Sequence, residues 1–545
     1  MDFQRVFLIV IFSFSIFLLW EGWQRENQPP ADRVNTPSIS AVQTHTAAPT
    51  GLIANSLGPV IEKTNEQLGD KILVTTDFFK AEISTIGGDI KRIEFLNHFD
   101  TEDKSKLFEI FQHDEKHTYI AQTGLLGEGL PNHNARFSSD KTTYKLSDTG
   151  DTLEVHLSAP NKANTKITKV FIFHRGSYLI DVGYEIRNNT SSNLTTSAYF
   201  QLVRDDFQPI GSTKFVPTYT GPAIYTDKDK FQKIDFESIE KNKHIAPTIA
   251  DNGWVGMLQH YFVSAWLPQG KVSREFYTKK IDSKLYSVGL VLPVNTVEPG
   301  NVGYITVPLY VGPAQSNLDD VATGLGLTVD YGFLTIIAKP IFWLLTTIHG
   351  FVHNWGFAII ILTILIKLAF FPLSAASYRS MAKMRIVAPK LAKIKEQYGD
   401  DRERLNRAMM DLYKTEKINP LGGCLPVLIQ IPVFISLYWA ILASVEMRYA
   451  PFMGWITDLS RSDPYYVLPV IMGLSMYLQS KLNPTPPDPL QAKLMQIMPI
   501  AFSVVFFFFP VGLVLYSVVN NILSIAQQWY ITRNIEAASK GVAKI

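Results

Sequence analysis

The chain is poor in cysteine: its 545 residues include one, Cys424. A single thiol excludes an intramolecular disulfide and a cysteine-based metal site. An excess of one charge sign is also missing, with 51 Lys and Arg against 49 Asp and Glu. Nothing in that balance draws the chain toward DNA. No internal repeat or paired intramembrane ions of the kind common in solute transporters is visible. His98, His113, His117, His174 and Glu154 are scattered, with no spacing that selects a general acid and a base. The chain is therefore not read as an enzyme, and no cofactor or metal is expected. Charged residues make up only 18% of the whole. They crowd into the first two-thirds and one stretch near 380–420, while apolar runs fill the rest. That is the distribution of a membrane protein carrying a soluble insert.

Residues 6–20, VFLIVIFSFSIFLLW, follow Arg5 and precede Glu21, Gly22 and Trp23 instead of the small residues of a cleavage site. Trp20 and Trp23 suit an interfacial anchor, so 1–23 reads as an uncleaved N-terminal transmembrane helix. Residues 24–70, rich in Pro, Thr, Ala, Ser and Asn without apolar period, read as a flexible linker. From 71 to 320, short period-two stretches alternate with Gly, Asn, Asp and Pro turns, the pattern of a large β-sandwich. KILVTTDFFKAEIST, Gly87-Gly88 and DIKRIEFLNH read as strand, turn, strand. ITKVFIFHRGSYLIDVGYEIRNN reads as a second pair around Gly176-Ser177. Residues 325–350 are apolar but include Asp330, Lys339 and Pro340, which favours an amphipathic helix lying in the interface.

Five apolar stretches follow, at 354–373, 424–445, 464–480, 496–510 and 512–531; the last two are divided at Pro510-Val511-Gly512, because one continuous helix would be too long for a bilayer of ~30 Å. With the first helix this predicts six transmembrane helices. Segment 374–420 holds eleven Lys and Arg against six Asp and Glu, which places it in the cytoplasm. Alternation then puts both termini in the cytoplasm and the β domain in the periplasm. Within 378–418, Met381, Met384, Val387 and Leu391 recur at helical spacing, as do Leu405, Ala408, Met409 and Leu412, with a turn at 398–401; a helical hairpin results. Its outward Lys and Arg residues suit anionic lipid or ribosomal RNA, or simply a solvated face that fixes topology.

Lys367 interrupts the apolar run AIIILTILI-K-LAFF. A cation at membrane depth costs at least ~2.5–3.5 kcal/mol. One reading is a snorkelling side chain near a helix end. The other is a hydrated intramembrane cavity. Thr363 lies on the same helix face, Gln430 in the next span, and Ser517, Asn520, Asn521, Gln527 and Gln528 in the last, so shared polarity favours the cavity. No intramembrane Asp or Glu neutralises Lys367 in these runs.

The strings SMAKMRIVAPKLAKIKEQYGDD, YKTEKINPLGGCLPVLIQIPVFISLYWAI, DPYYVLPVIMG and FPVGLVLYSVVNN resemble the YidC/Oxa/Alb family of membrane protein insertases, in its Gram-negative form with a large periplasmic domain. The resemblance is dense over 325–532, and its most specific motif is carried by Asn419, Pro420, Gly422, Gly423, Cys424, Pro426 and Pro432. It implies a five-helix insertase core at 351–532 around a groove open to cytoplasm and lipid and closed to the periplasm. Lys367 occupies the position of the groove's one positive residue, where most relatives have Arg. Thr363, Gln430, Tyr516, Ser517 and Asn520 match groove or client-contact positions, Ser517 standing where relatives often have a second Tyr. Met381, Met384, Arg385, Pro389, Tyr398 and Gly399 fall in the hairpin, implied to be a mobile receiving element. The implied function is insertion, folding and assembly of inner-membrane proteins, alone or with the Sec translocon (SecYEG with SecDF and YajC). The implied partners are nascent clients, membrane lipids, and the ribosome and signal-recognition machinery through the hairpin; the tail 533–545 looks too weakly basic for a strong ribosome anchor. A galactose-mutarotase-like fold is implied for the β domain.

Overall fold

The computed structural model describes residues 69–542, apart from 101–102, 161–163, 209–218, 242–248, 316, 330, 332–333, 400, 417, 419–424, 484–492, 494–496, 500 and 502. The first helix, the linker up to 68, and the motif positions Asn419, Pro420, Gly422, Gly423 and Cys424 lie outside the described residues.

Alternating burial turns the segment from Lys71 to Pro313 into two sheets, of ten and nine strands, that share one apolar core. The pair read around Gly176-Ser177 is Thr165–His174 against Leu179–Asn188, with Ile180 opposite Phe173. Gly176 takes φ +64°, a left-handed conformation that suits a residue without Cβ. The stretch expected as one strand from Lys71 is instead two antiparallel strands, Lys71–Thr75 and Phe79–Ser84, with Lys71 opposite Ser84. Thr76 drives the reversal, its Oγ1 accepting from the N–H groups of Phe78 (3.2 Å) and Phe79 (3.1 Å). Such a local bond offers the backbone an alternative to the ladder.

The core contains a polar chain. Asp89 and Lys169 are 3% and 1% exposed. Lys169 Nζ donates to the Gly87 carbonyl at 2.9 Å. Asp89 Oδ2 accepts from Gln122 Nε2 at 2.7 Å, and bonds of 2.9 Å continue through Gln201 to the Tyr277 hydroxyl. Burial pushes the Asp89 carboxyl up to about 6 although Lys169 pulls it down.

Three histidines of the domain are held neutral. Burial lowers His98, His133 and His260 to about 4 from 6.5, helped by Arg448 beside His98 and His260 and by Lys169 beside His133. Each binds a proton less readily folded than unfolded, so its stability is full above 6.5 and drains as pH falls toward 4. Asp89 works oppositely: between 3.8 and about 6 acid favours the fold. Three groups against one leave net acid destabilisation, each proton being worth about 1.4 kcal/mol per pH unit. Acidification from pH 7 to pH 5 is expected to lower the domain's melting temperature by several degrees, and His133→Gln to flatten that slope. A melting temperature unchanged over this range would count against buried neutral histidines.

Beyond the short helix α1 (Phe236–Glu240), the helices belong to the C-terminal block: α2 (Thr335–Val352), α3 (Trp355–Ala369), α4 (Phe371–Tyr398), α5 (Arg402–Thr415), α6 (Leu425–Ala443), α7 (Val467–Leu482) and α8 (Val511–Val542). By length and composition α2 and residues 511–535 are apolar enough to cross a membrane, and the pair α3–α4, bent by 67°, adds a third if it counts as one span. α6, α7 and residues 497–508 are shorter apolar helices, so among the described residues helix length alone supports two or three spans where five were expected. α2 has span-like length although an interfacial position was expected for it. α8 runs unbroken past Arg533, where a separate tail was expected; after Gly512 in its first turn, no Gly or Pro interrupts it before Gly541.

The sandwich is fastened to this block at the loop after α6. His260 Nε2 donates to the Leu442 carbonyl at 2.9 Å, and Val445 packs in the sandwich's own core. The Arg448 guanidinium donates to the Phe99 carbonyl at 3.0 Å and lies 5.0 Å from the Tyr261 ring. Tyr449 donates its hydroxyl to the Asp100 carbonyl. Arg448→Ala removes a cation–π contact of about 0.5–2 kcal/mol and a charged hydrogen bond. Faster amide exchange at residues 97–100 and 444–450 is expected; unchanged exchange would show that Arg448 does not hold the joint.

Candidate functional site

α3 begins at Asn354, whose Oδ1 caps the Phe357 N–H at 3.1 Å while its Nδ2 donates to the carbonyls of Pro451 and Phe452. Gly356 lets α3 lie against Phe452, whose ring sits where a Cβ would be. The helix ends at Ala369 because Pro372 has no N–H to continue the ladder. The 67° bend that follows leaves Lys367 in the last turn of α3. Lys367 is 8% exposed, while Ile364, Leu365 and Leu368 on the outer face are exposed.

A small cleft, partly open to its surroundings, lies where four helices meet. Its lining comprises Ile366, Lys367 and Phe370 around the end of α3, Leu373 and Ser374 of α4, Ile429, Gln430 and Val433 of α6, and Tyr516 and Asn520 of α8. Gln430 Nε2 donates to the Tyr516 hydroxyl at 3.1 Å. Pro432 lies within α6 and frees the Leu428 carbonyl from its usual helical partner. Lys367 Nζ donates to Ser524 Oγ at 2.7 Å, which in turn donates to the Asn520 carbonyl at 2.7 Å. Among the described residues no acidic side chain pairs with Lys367.

Of the residues expected to form a groove, Lys367, Gln430, Tyr516 and Asn520 come together here. Thr363 and Ser517 do not line the cleft: each hydroxyl donates to its own helix, at 2.7 Å to Ile359 and 2.9 Å to Leu513. Asn521 faces α7, donating to Ser475 Oγ at 3.2 Å, and Gln528 donates to the Leu482 carbonyl at 3.2 Å. Ser524 was not singled out from sequence. Its signal was there: Tyr516, Asn520, Ser524 and Gln528 repeat at four residues, one face of a helix.

The hairpin residues divide between two surfaces. Met381 packs with Tyr378 and Ile531 against α8. Met384 joins Val387, Leu391, Met409 and Leu412 inside the hairpin. Arg385 ties the hairpin's root to α7, donating to the Leu482 carbonyl at 2.8 Å at that helix's C-terminus, where a cation is favoured. Pro389 is exposed within α4, Tyr398 ends it and Gly399 follows. Pro426 stands in the first turn of α6.

The scattered polar residues of the sandwich stay apart. His98 meets Tyr178, His113 meets Thr118, His117 meets Asp205, His174 meets Asp181, and Glu154 meets His156. Among the described residues no group of three or more His, Cys, Asp or Glu is placed to hold a metal ion.

A large β-sandwich followed by a block of apolar helices around a cation-bearing cleft defines a helical membrane protein with an extramembrane domain. The sequence profile of the YidC periplasmic domain matches residues 71–344, and that of the 60Kd inner membrane protein matches 347–538. The membrane protein insertase YidC of Nitrosospira multiformis is 51% identical, covering 100% of this chain and 99% of its own length. That of Dechloromonas aromatica is 53% identical over 99% of both. A crystal structure of an active YidC insertase with its first transmembrane domain resolved covers 85% of this chain and 92% of its own, at 19% identity and a TM-score of 0.40, too low to transfer any residue's role. The chain belongs to the YidC family of membrane protein insertases. It is an inner-membrane protein with a periplasmic domain, and the family's work is not enzymatic.

Proposed function

We propose that this chain inserts and helps assemble inner-membrane proteins by receiving a short polar segment of a client in the cleft between α3, α4, α6 and α8. The observation that carries this reading is Lys367, a buried ammonium on the cleft wall with a hydroxyl, not a carboxylate, as its partner. Such a group lowers the cost of bringing acidic or polar client groups part-way through a bilayer. The client's apolar helix then leaves sideways into lipid. In this reading both termini are cytoplasmic, α2 lies along the periplasmic interface, and the hairpin of α4 and α5 meets the incoming chain. The exposed Arg379, Lys383 and Lys393 of α4 offer a cationic face to lipid headgroups or to a ribosome. Cooperation with the Sec translocon belongs to the same proposal.

Complementation of insertase-depleted cells tests it. A variant lacking residues 75–315 is expected to retain most insertion of a short Sec-independent client, because the cleft is built wholly from the helical block. Failure of that deletion together with full activity of Lys367→Ala would locate the function in the sandwich instead.

A further inference from the structure

The geometry points to Ser524 as a positioning residue for Lys367, one that sets how strongly the cleft prefers clients with an acidic transferred segment. This rests on the cleft reading above.

Lys367 sits at the end of a helix beside a 67° bend, where a four-carbon stem has room to turn toward the cytoplasmic surface. Long cationic side chains near membrane boundaries do this readily. Here the ammonium stays in the cleft wall, 2.7 Å from Ser524 Oγ. The hydroxyl suits the task because its single proton is committed. It goes to the Asn520 carbonyl one turn back at 2.7 Å, which leaves the oxygen lone pairs facing the ammonium. Ser524 is 3% exposed and does not line the cleft. It acts through Lys367, not on the client. Tyr378 of α4, 3% exposed, faces the same hydroxyl, so the anchor sits where the hairpin's root meets α8.

An ammonium has three donors. Ser524 takes one and is the hydrogen-bond partner of Lys367 among the described residues. The other two remain for a client carboxylate at a depth that the rigid helix α8 fixes. Without the anchor, the charge persists but its position spreads, and a carboxylate gains less from it than from a held charge.

The test uses full-length protein in insertase-depleted cells with two forms of one short Sec-independent client, differing by an Asp→Asn change in the transferred segment. The readout is the ratio of inserted acidic to inserted neutral client. For Ser524→Ala that ratio is expected to fall about fivefold from wild type, the scale of one ordinary net hydrogen bond, because the lost anchor reaches the client only through Lys367. Ser524→Thr, which keeps the hydroxyl, is expected to restore it. In the Lys367→Ala background, adding Ser524→Ala is expected to change nothing further. Equal losses for both clients, or a ratio unchanged in Ser524→Ala, would overturn the positioning role while leaving the cleft reading in place. A wild-type protein indifferent to client charge, with Lys367→Ala fully active, would overturn the cleft reading and this inference with it.

Discussion

Lys367→Ala is expected to lower insertion of a client with an acidic transferred segment by about tenfold, equivalent to ~1.4 kcal/mol. Two charges 4 Å apart attract by about 4 kcal/mol at an effective dielectric of 20 and by about 1 kcal/mol in water. A cleft partly open to its surroundings lies between those limits, nearer the wet one. Lys367→Arg is expected to work at least as well as wild type, since a guanidinium keeps its charge under all physiological conditions and binds carboxylates with two parallel bonds. The measurement is protease protection of the client after pulse labelling. A dead Arg variant would mean that proton exchange, not charge, is what the site provides. Full activity of Lys367→Ala with several acidic clients would remove the charge from the mechanism.

The second large effect concerns stability. Lys169→Ala is expected to destabilise the sandwich by about 3–5 kcal/mol, because removing one of two opposed buried charges strands the other. Asp89 would lose the cation that offsets its desolvation, and the Gly87 carbonyl its donor. The double replacement Asp89→Asn with Lys169→Met is expected to recover much of that loss, since apolar or neutral substitutes for a buried pair are often tolerated. Amide exchange across the strands Ile90–Phe99 and Thr165–His174 in the full-length protein reads both variants. Equal destabilisation by the single and double variants would show that shape, not charge, governs the site.

Sequence revealed the architecture where its signals are periodic. Alternation and turn residues marked the hairpin at Gly176-Ser177, and the polar interruption of an apolar run marked Lys367. What escaped it were facts decided by three-dimensional neighbours. Thr363 and Ser517 are polar residues on membrane helices, yet a hydroxyl that bonds its own helix four residues back satisfies itself and needs no cavity. The fold-back at Thr76 depends on one hydroxyl competing with a ladder that the sequence makes look continuous. Ser524 lies amid NNILSIAQQ, where stronger polar residues draw the eye. The four-residue repeat from Tyr516 to Gln528 puts it on one helix face with them, and the 2.7 Å bond from Lys367 singles it out.

The joint at α6 has a mechanical consequence. The Leu442 carbonyl is held by His260, and Val445, three residues on, is embedded among the strands. A chain spans at most about 3.3–3.6 Å per residue, so there is little slack between helix end and sandwich. α6 is also the helix that carries Gln430 into the cleft. Any tilt of α6 that widens the cleft must therefore swing the sandwich with it, as a needle follows its spindle. A fluorophore pair spanning the far edge of the sandwich and the lipid surface would read, on the periplasmic side, the opening of the cleft.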